Sequence, residues 1–280
     1  MKRRRSRGAS KKRSNNRLGI VLIALSLIAV AIAVTVALLS RVDPTDKFGC
    51  RKGTAGPVAH TIILIDQTDS LDPRELDFVR TVVFNEFYRL PLAGKLSIRS
   101  IDEQVDQVKD ALVVCRLKTG EESGGPTENP KMVKRSFEKR VGQPLTAFLA
   151  GLSNQPEKQW SPIYETIADV YNRIDFNPEI TKRRLVVISD MAQHSAAFDQ
   201  YGCWRREFAV PAEMDKDFAA NVPGSEVVIQ YIKRKKLCMQ GEAHKEFWRS
   251  LYSGMGADVS IGHALKLGRR PDETIKYESE

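Results

Sequence analysis

Thr61-Ile62-Ile63-Leu64-Ile65 runs straight into Asp66-Gln67-Thr68-Asp69-Ser70, and this join decides how the chain is read. An unbroken, mostly β-branched apolar run leaves no alternate position for water. It predicts a strand covered on both faces, the central parallel strand of an α/β sheet. Ligands of such sheets sit beyond the carboxyl ends of the strands. The Asp-x-Thr-x-Ser array stands at that end and gathers one carboxylate and two hydroxyls on a tight loop. Hard oxygen donors of this kind suit Mg²⁺ or Mn²⁺.

Two further segments point to the same sheet edge. Leu185-Val186-Val187-Ile188 is a second buried run that ends in Ser189-Asp190. Between the two lies Trp160-Ser161-Pro162-Ile163-Tyr164-Glu165, where Ser-Pro opens a helix and places a hydroxyl at its N-cap position. With these pieces the chain resembles a von Willebrand factor type A domain carrying a metal-ion-dependent adhesion site. That resemblance implies an α/β fold with a doubly wound, mostly parallel sheet and helices on both faces. It also implies a metal set of Asp66, Thr68, Ser70, Ser161 and Asp190, with Thr68 in place of a family Ser and Ser161 in place of a family Thr. In such sites the cation is not a catalyst, and an acidic side chain of a partner protein completes its coordination.

The ends of the chain are of another kind. Leu18 to Leu39 is a run of 22 residues without charge or proline, long enough to cross a bilayer as a helix. Residues 1–17 carry nine Lys and Arg and no acid, which accounts for the whole formal excess of +9. The rest of the chain balances at 35 basic against 35 acidic residues. A nucleic-acid-binding domain carries its basic surface on the folded part, so no nucleic-acid partner is expected here; the basic tail is read first as a topology determinant, with anionic lipid or nucleic acid as the lesser alternative for it. The positive block instead predicts a cytoplasmic N-terminus and a C-terminal domain across the membrane. No small-x-small cleavage site follows the apolar run, so the segment reads as an anchor rather than a signal peptide. Ala29, Ala33 and Ala37 form a small-residue stripe on which two such helices can approach as a homodimer.

The predicted organisation is a basic tail (1–17), a transmembrane helix (18–39), a juxtamembrane linker (40–59), a domain over 60–266 and a polar tail (267–280). Four cysteines in a domain facing an oxidising compartment permit disulfides. Cys203–Cys238 is the preferred pairing, because both follow neighbouring strands at one sheet edge, with Cys50–Cys115 second. No Asn-x-Ser/Thr acceptor occurs, which fits a bacterial inner-membrane protein with a periplasmic or extracellular domain.

Within the domain, helices are predicted over 72–88, 130–141, 144–152, 161–174 and 243–255. Strands are predicted over 95–101, 111–117, 226–232 and 257–261. The stretch Met191–Gly224 is long for a connection inside a compact domain, and such loops are usually functional. It carries Tyr201, Trp204, Arg205 and Arg206, residue types favoured at interface hot spots, as well as Phe208. Its aromatics serve either a partner or the domain core. His194 follows Asp190 by four residues, and Cys203, Cys238, His244 and His263 lack the spacing of a zinc site.

Asp66-Gln67-Thr68-Asp69-Ser70-Leu71 also resembles the nucleophile loop of haloacid-dehalogenase-like phosphatases, in which Asp66 attacks phosphorus beside Mg²⁺. Those enzymes need a later strand ending in a pair of acids, whereas the later candidates end in Lys233-Arg234 and Gly262-His263. The reading preferred here is a membrane-anchored binding module and not an enzyme. The phosphatase and a scaffold with a purely structural metal site remain as alternatives.

Overall fold

The computed structural model describes residues 10–39, 45–50, 57–103, 105, 109–125, 128–152, 157–202, 208–212, 214 and 216–263. The chain divides into two compact units, Met1–Pro44 and Thr45–Glu280. In the first, helix α1 spans Ser10–Leu39. Its Leu18–Val36 stretch has a mean hydropathy of 2.9 and is long and apolar enough to cross a membrane.

The second unit is a mixed α/β body built on six strands: β1 (Ala59–Asp66), β2 (Lys95–Ile101), β3 (Leu112–Cys115), β4 (Lys182–Ser189), β5 (Ser225–Tyr231) and β6 (Asp258–His263). They lie in the order β3-β2-β1-β4-β5-β6, with every neighbouring pair parallel except β2 and β3. Helices α2 (Pro73–Arg89), α3 (Pro130–Phe137), α4 (Gln143–Ala150), α5 (Ile163–Tyr171) and α6 (Glu242–Gly254) complete it.

Strand side chains alternate between faces, and this alternation sorts the core in two. Ile63, Ile65, Val186 and Ile188 pack with Val79, Val83 and Phe87 of α2 and Leu145 and Leu149 of α4. Ile62, Leu64, Leu185 and Val187 pack with Ile163, Ile167 and Tyr171 of α5 and Trp248 and Tyr252 of α6. With apolar partners on both sides, β1 has no need of a polar alternate residue, and all eight of its positions are buried.

Several boundaries differ from the sequence reading. Asp72 caps α2 as expected, in a full capping box with Glu75. The helix expected from Ser161 starts instead at Ile163 with Pro162 at the cap position, and no side chain of that residue caps it. Gln193 takes up the work: its Oε1 accepts the Tyr164 N–H at 2.8 Å. The two helices expected over 130–152 are joined by a π-helical turn, Glu138–Gly142, rather than a break, and Val141 is buried in it. The segment expected as a plain linker contributes residues 45–50 to the second unit. There Cys50 is bonded to Cys115, and the Cys115 N–H donates to Phe48 O at 3.1 Å along the sheet edge. Gly49 has φ +82°, and a Cβ there would lie 2.8 Å from Leu117 Cδ1, so the turn demands glycine.

At the amino ends of the strands, His60 is fully buried. Its Nδ1 lies 2.7 Å from Asp175 O, which can only accept, so Nδ1 carries the proton and Nε2 accepts from Ser97 Oγ at 3.0 Å. Burial, with Lys95 adding to it, pulls the imidazole pKa down to about 4. The unfolded chain then binds the extra proton first. This contribution to stability is complete above about pH 6.5 and is lost as pH falls toward 4. The expected result is a drop of about 2 kcal/mol between pH 7.5 and 5.0 that is absent from His60→Gln, read from urea midpoints. An equal drop in both proteins rejects the assignment.

Candidate functional site

The chain leaves β1 toward β2 and β3 on one side and later returns to place β4 on the other. The crevice between the carboxyl ends of β1 and β4 is therefore the topological switch point of the sheet. Asp66 ends β1, and Asp190 directly follows β4. Both are buried, with 7% of their surface exposed.

Asp66 organises the first loop. Its Oδ1 accepts from Thr68 N at 3.0 Å and Thr68 Oγ1 at 2.6 Å, and its Oδ2 accepts from Ser189 Oγ at 2.6 Å. The two hydroxyl protons point at the carboxylate, which leaves the oxygen lone pairs of Thr68 and Ser189 to face elsewhere. Ser70 is exposed at the mouth of the site.

The second loop is fastened to both of its neighbours. Lys158 N donates to Thr68 O at 2.8 Å, and Ser161 and His194 exchange two backbone hydrogen bonds at 2.8 and 2.9 Å. From the end of β2, Glu103 Oε1 accepts the Gln159 and Trp160 N–H groups at 2.5 and 3.1 Å. Ser161 Oγ is buried and has no hydrogen-bond partner. A hydroxyl left so costs about 1–3 kcal/mol.

In the third loop Met191 takes φ +59°, a left-handed conformation uncommon outside glycine. Its N–H donates to Ser189 Oγ at 2.7 Å, and Ala192 N donates to Asp190 Oδ1 at 2.9 Å. The turn is held from beneath by Trp248, whose indole N–H donates to Met191 O at 3.2 Å. Gln240 Nε2 bridges Asp190 O and Ile232 O at 2.8 and 2.9 Å, and Arg234 Nε stands 4.0 Å from Asp190 Oδ2.

Burial, and after it the charge of Asp66, pushes the Asp190 carboxyl well above the usual carboxylate range. Two like charges in one desolvated place are unfavourable until a proton or a cation joins them. Among the described residues no three His, Cys, Asp or Glu side chains gather as a metal-binding group. The oxygens gathered on these loops are of another composition, two carboxylates with the hydroxyls of Thr68 and Ser161 and, exposed at the mouth, of Ser70, while Ser189 Oγ is engaged with Asp66 and the Met191 N–H. Neutral hydroxyl oxygens suit a hard divalent cation and leave it more of its charge.

A rim of rings borders the site. Trp160 and His194 lie 4.7 Å apart between centroids, and His194 and Tyr201 lie 5.1 Å apart. Tyr201 is 44% exposed, and burial together with Asp190, Asp69 and Asp66 holds its hydroxyl pKa up. Trp204, Arg205, Arg206 and Cys203 lie outside the described residues. Elsewhere in the long loop Phe198 and Phe218 are buried in the core, and Phe208 packs against Ala192, Leu237 and Met239. Most of its described aromatics thus cover the domain. Cys238 is disulfide-bonded, so it offers no thiolate to a zinc ion. His244 is fully buried between Tyr231 OH, at 2.7 Å, and Gln200 Oε1, at 3.1 Å.

Sequence reasoning overlooked Glu103, Gln193, Arg234 and Gln240 as supports of the site. None carries a local signal, because each acts on a loop distant in sequence. Ser189, beside Asp190 in the sequence, also supports the site by donating to Asp66. No protein-family model matches this chain, and no curated protein matches it.

Proposed function

We propose that this chain is a membrane-anchored binding module of the von Willebrand factor type A kind, in which a Mg²⁺ or Mn²⁺ ion links it to an acidic side chain of a partner protein. The observation that carries the reading is the Ser161 hydroxyl, buried without a partner where the loops of Asp66 and Asp190 meet. A cation held by Asp66, Thr68, Ser70, Ser161 and Asp190 satisfies that oxygen and the crowded carboxylates together. A strand order with the one antiparallel pair at its edge supports the doubly wound family fold. The phosphatase reading gains nothing, since β5 runs into Lys233 and Arg234 rather than a pair of acids.

The proposed placement is a single span in a bacterial inner membrane, with residues 1–17 in the cytoplasm and the folded domain outside. Nine basic residues before the apolar helix support this orientation. The Cys50–Cys115 disulfide supports an oxidising compartment.

One experiment tests both parts. A labelling peroxidase that folds only where disulfides form, fused after Glu280, is expected to be active and to tag a partner in cells. Asp66→Ala and chelation of divalent ions are each expected to remove that partner. A silent peroxidase overturns the orientation. An unchanged partner set in Asp66→Ala overturns the metal-dependent reading and leaves a scaffold.

A further inference from the structure

The mouth of the site opens into a cleft of about 310 Å³ lined by Asp69, Ser70, Glu157, Arg234, Lys235 and Lys236. One wall of this cleft is formed by Arg234, Lys235 and Lys236, which belong to Lys233-Arg234-Lys235-Lys236, a run of four consecutive cations. Their side chains are not equivalent. Arg234 is spent on Glu75, which it grips with one nitrogen at 2.6 and 2.8 Å. Lys236 donates to Asp69 at 3.0 Å. Lys233 and Lys235 are exposed, and no ion-pair partner is found for either among the described residues.

The wall is held in place rather than free. Gln240 Oε1 accepts the Arg234 N–H at 2.7 Å while its Nε2 spans Ile232 O and Asp190 O. The Arg234–Glu75 and Lys236–Asp69 pairs tie it to the loop and helix that follow Asp66. The paired cations therefore fix the wall; of the two other lysines, Lys235 lines the cleft with Ser70, and Lys233 is exposed on the same loop outside the lining. Among the described residues Glu157 is the acid lining the cleft with no ion pair, against Lys235 in the lining and Lys233 beside it on the same loop.

We infer that this basic wall is a second anion-binding point, and that the partner presents an acidic segment with more than one carboxylate rather than a single acid. One carboxylate meets the cation site while others lie on Lys233 and Lys235. The inference rests on the proposed site for its location but on the lysines for its chemistry, so the two are separable. Opposite charge across such a contact steers association and selects among partners, whereas a like charge in the same place rejects them.

The test uses the full chain in detergent micelles with Mg²⁺ and a hexaglutamate peptide bearing a photoactivatable group, crosslinks being mapped by mass spectrometry. Mapping separates the cleft from the basic tail, which also attracts the peptide. Crosslinks at 69–70 and 233–236 are expected and should fade as salt rises past about 0.1 M. Lys233→Glu with Lys235→Glu should lower them by on the order of tenfold, and the Arg pair at the same positions should restore them. Equal crosslinking in the Glu variant overturns the inference. So does protection of these lysines from acylation by phosphatidylglycerol vesicles but not by the peptide, which makes the wall a membrane contact. A separate Mg²⁺ thermal shift judges the metal site, because the Glu variant is expected to keep that shift and Asp190→Asn to lose it.

Discussion

Replacing Cys50 and Cys115 together with alanine is expected to lower the stability of the folded domain by about 4 kcal/mol, the chain-entropy value for a closed loop of this length. The bond joins residues 65 apart and so encloses β1, α2 and β2. Without it, the unfolded chain regains the freedom to separate the two ends. The native side loses support as well. Residues 45–50 cover the outer edge of β3, a strand of four residues at the end of the sheet. Arg140 reaches the same segment, donating from Nη1 to Thr45 Oγ1 at 2.8 Å. The measurement is urea unfolding of the full chain in detergent by tryptophan fluorescence. A loss below about 1 kcal/mol shows that the hydrogen bonds alone secure the edge. Domain preparations that begin after Cys50 are expected to carry the same defect.

Divalent metal is expected to act almost as strongly in the opposite direction. A single site adds about 4.1 kcal/mol at a thousandfold excess of free ion over Kd, provided the unfolded chain does not bind it. Mg²⁺ and Mn²⁺ should therefore raise the melting temperature of the full chain, and Asp66→Ala or Asp190→Asn should abolish the rise. The metal-free behaviour of Asp190→Asn is the sharper test. Asp190 is desolvated beside Asp66, so removing its charge relieves a repulsion. Its stability without metal should equal or exceed that of the wild type. A variant that loses stability without metal shows a carboxylate needed for the fold, and a wild type indifferent to both ions refutes the cation site.

The sequence by itself determined the local elements. Buried strands could be read at Ile62–Ile65 and Leu185–Ile188 because two-sided burial removes polar alternation. The start of α2 was legible because Asp72, Pro73 and Glu75 form a cap within a single turn. The membrane-length helix followed from unbroken apolarity. All of these depend on neighbours within a few residues, and that is the range over which a sequence speaks plainly. The proposed metal set of Asp66, Thr68, Ser70, Ser161 and Asp190 came instead from the family resemblance, on residues in the loops that follow β1, precede α5 and follow β4.

Tertiary structure decided what those residues face. Ser161 has the composition of a cap, yet the bonds it exchanges with His194 pull it off the helix, and Gln193, thirty-two positions later, serves the Tyr164 N–H instead. Glu103 holds the Ser161 loop from β2, and Arg234 and Gln240 hold the Asp190 loop from beyond β5. Glu75 and Asp69 engage Arg234 and Lys236, and among the described residues no ion pair forms to Lys233 or Lys235. Such partners are chosen by which strands lie together in the sheet, and no spacing along the chain records that choice. The order β3-β2-β1-β4-β5-β6 brings these distant loops to one edge, because burying both faces of β1 and β4 requires the two strands to pair at the centre.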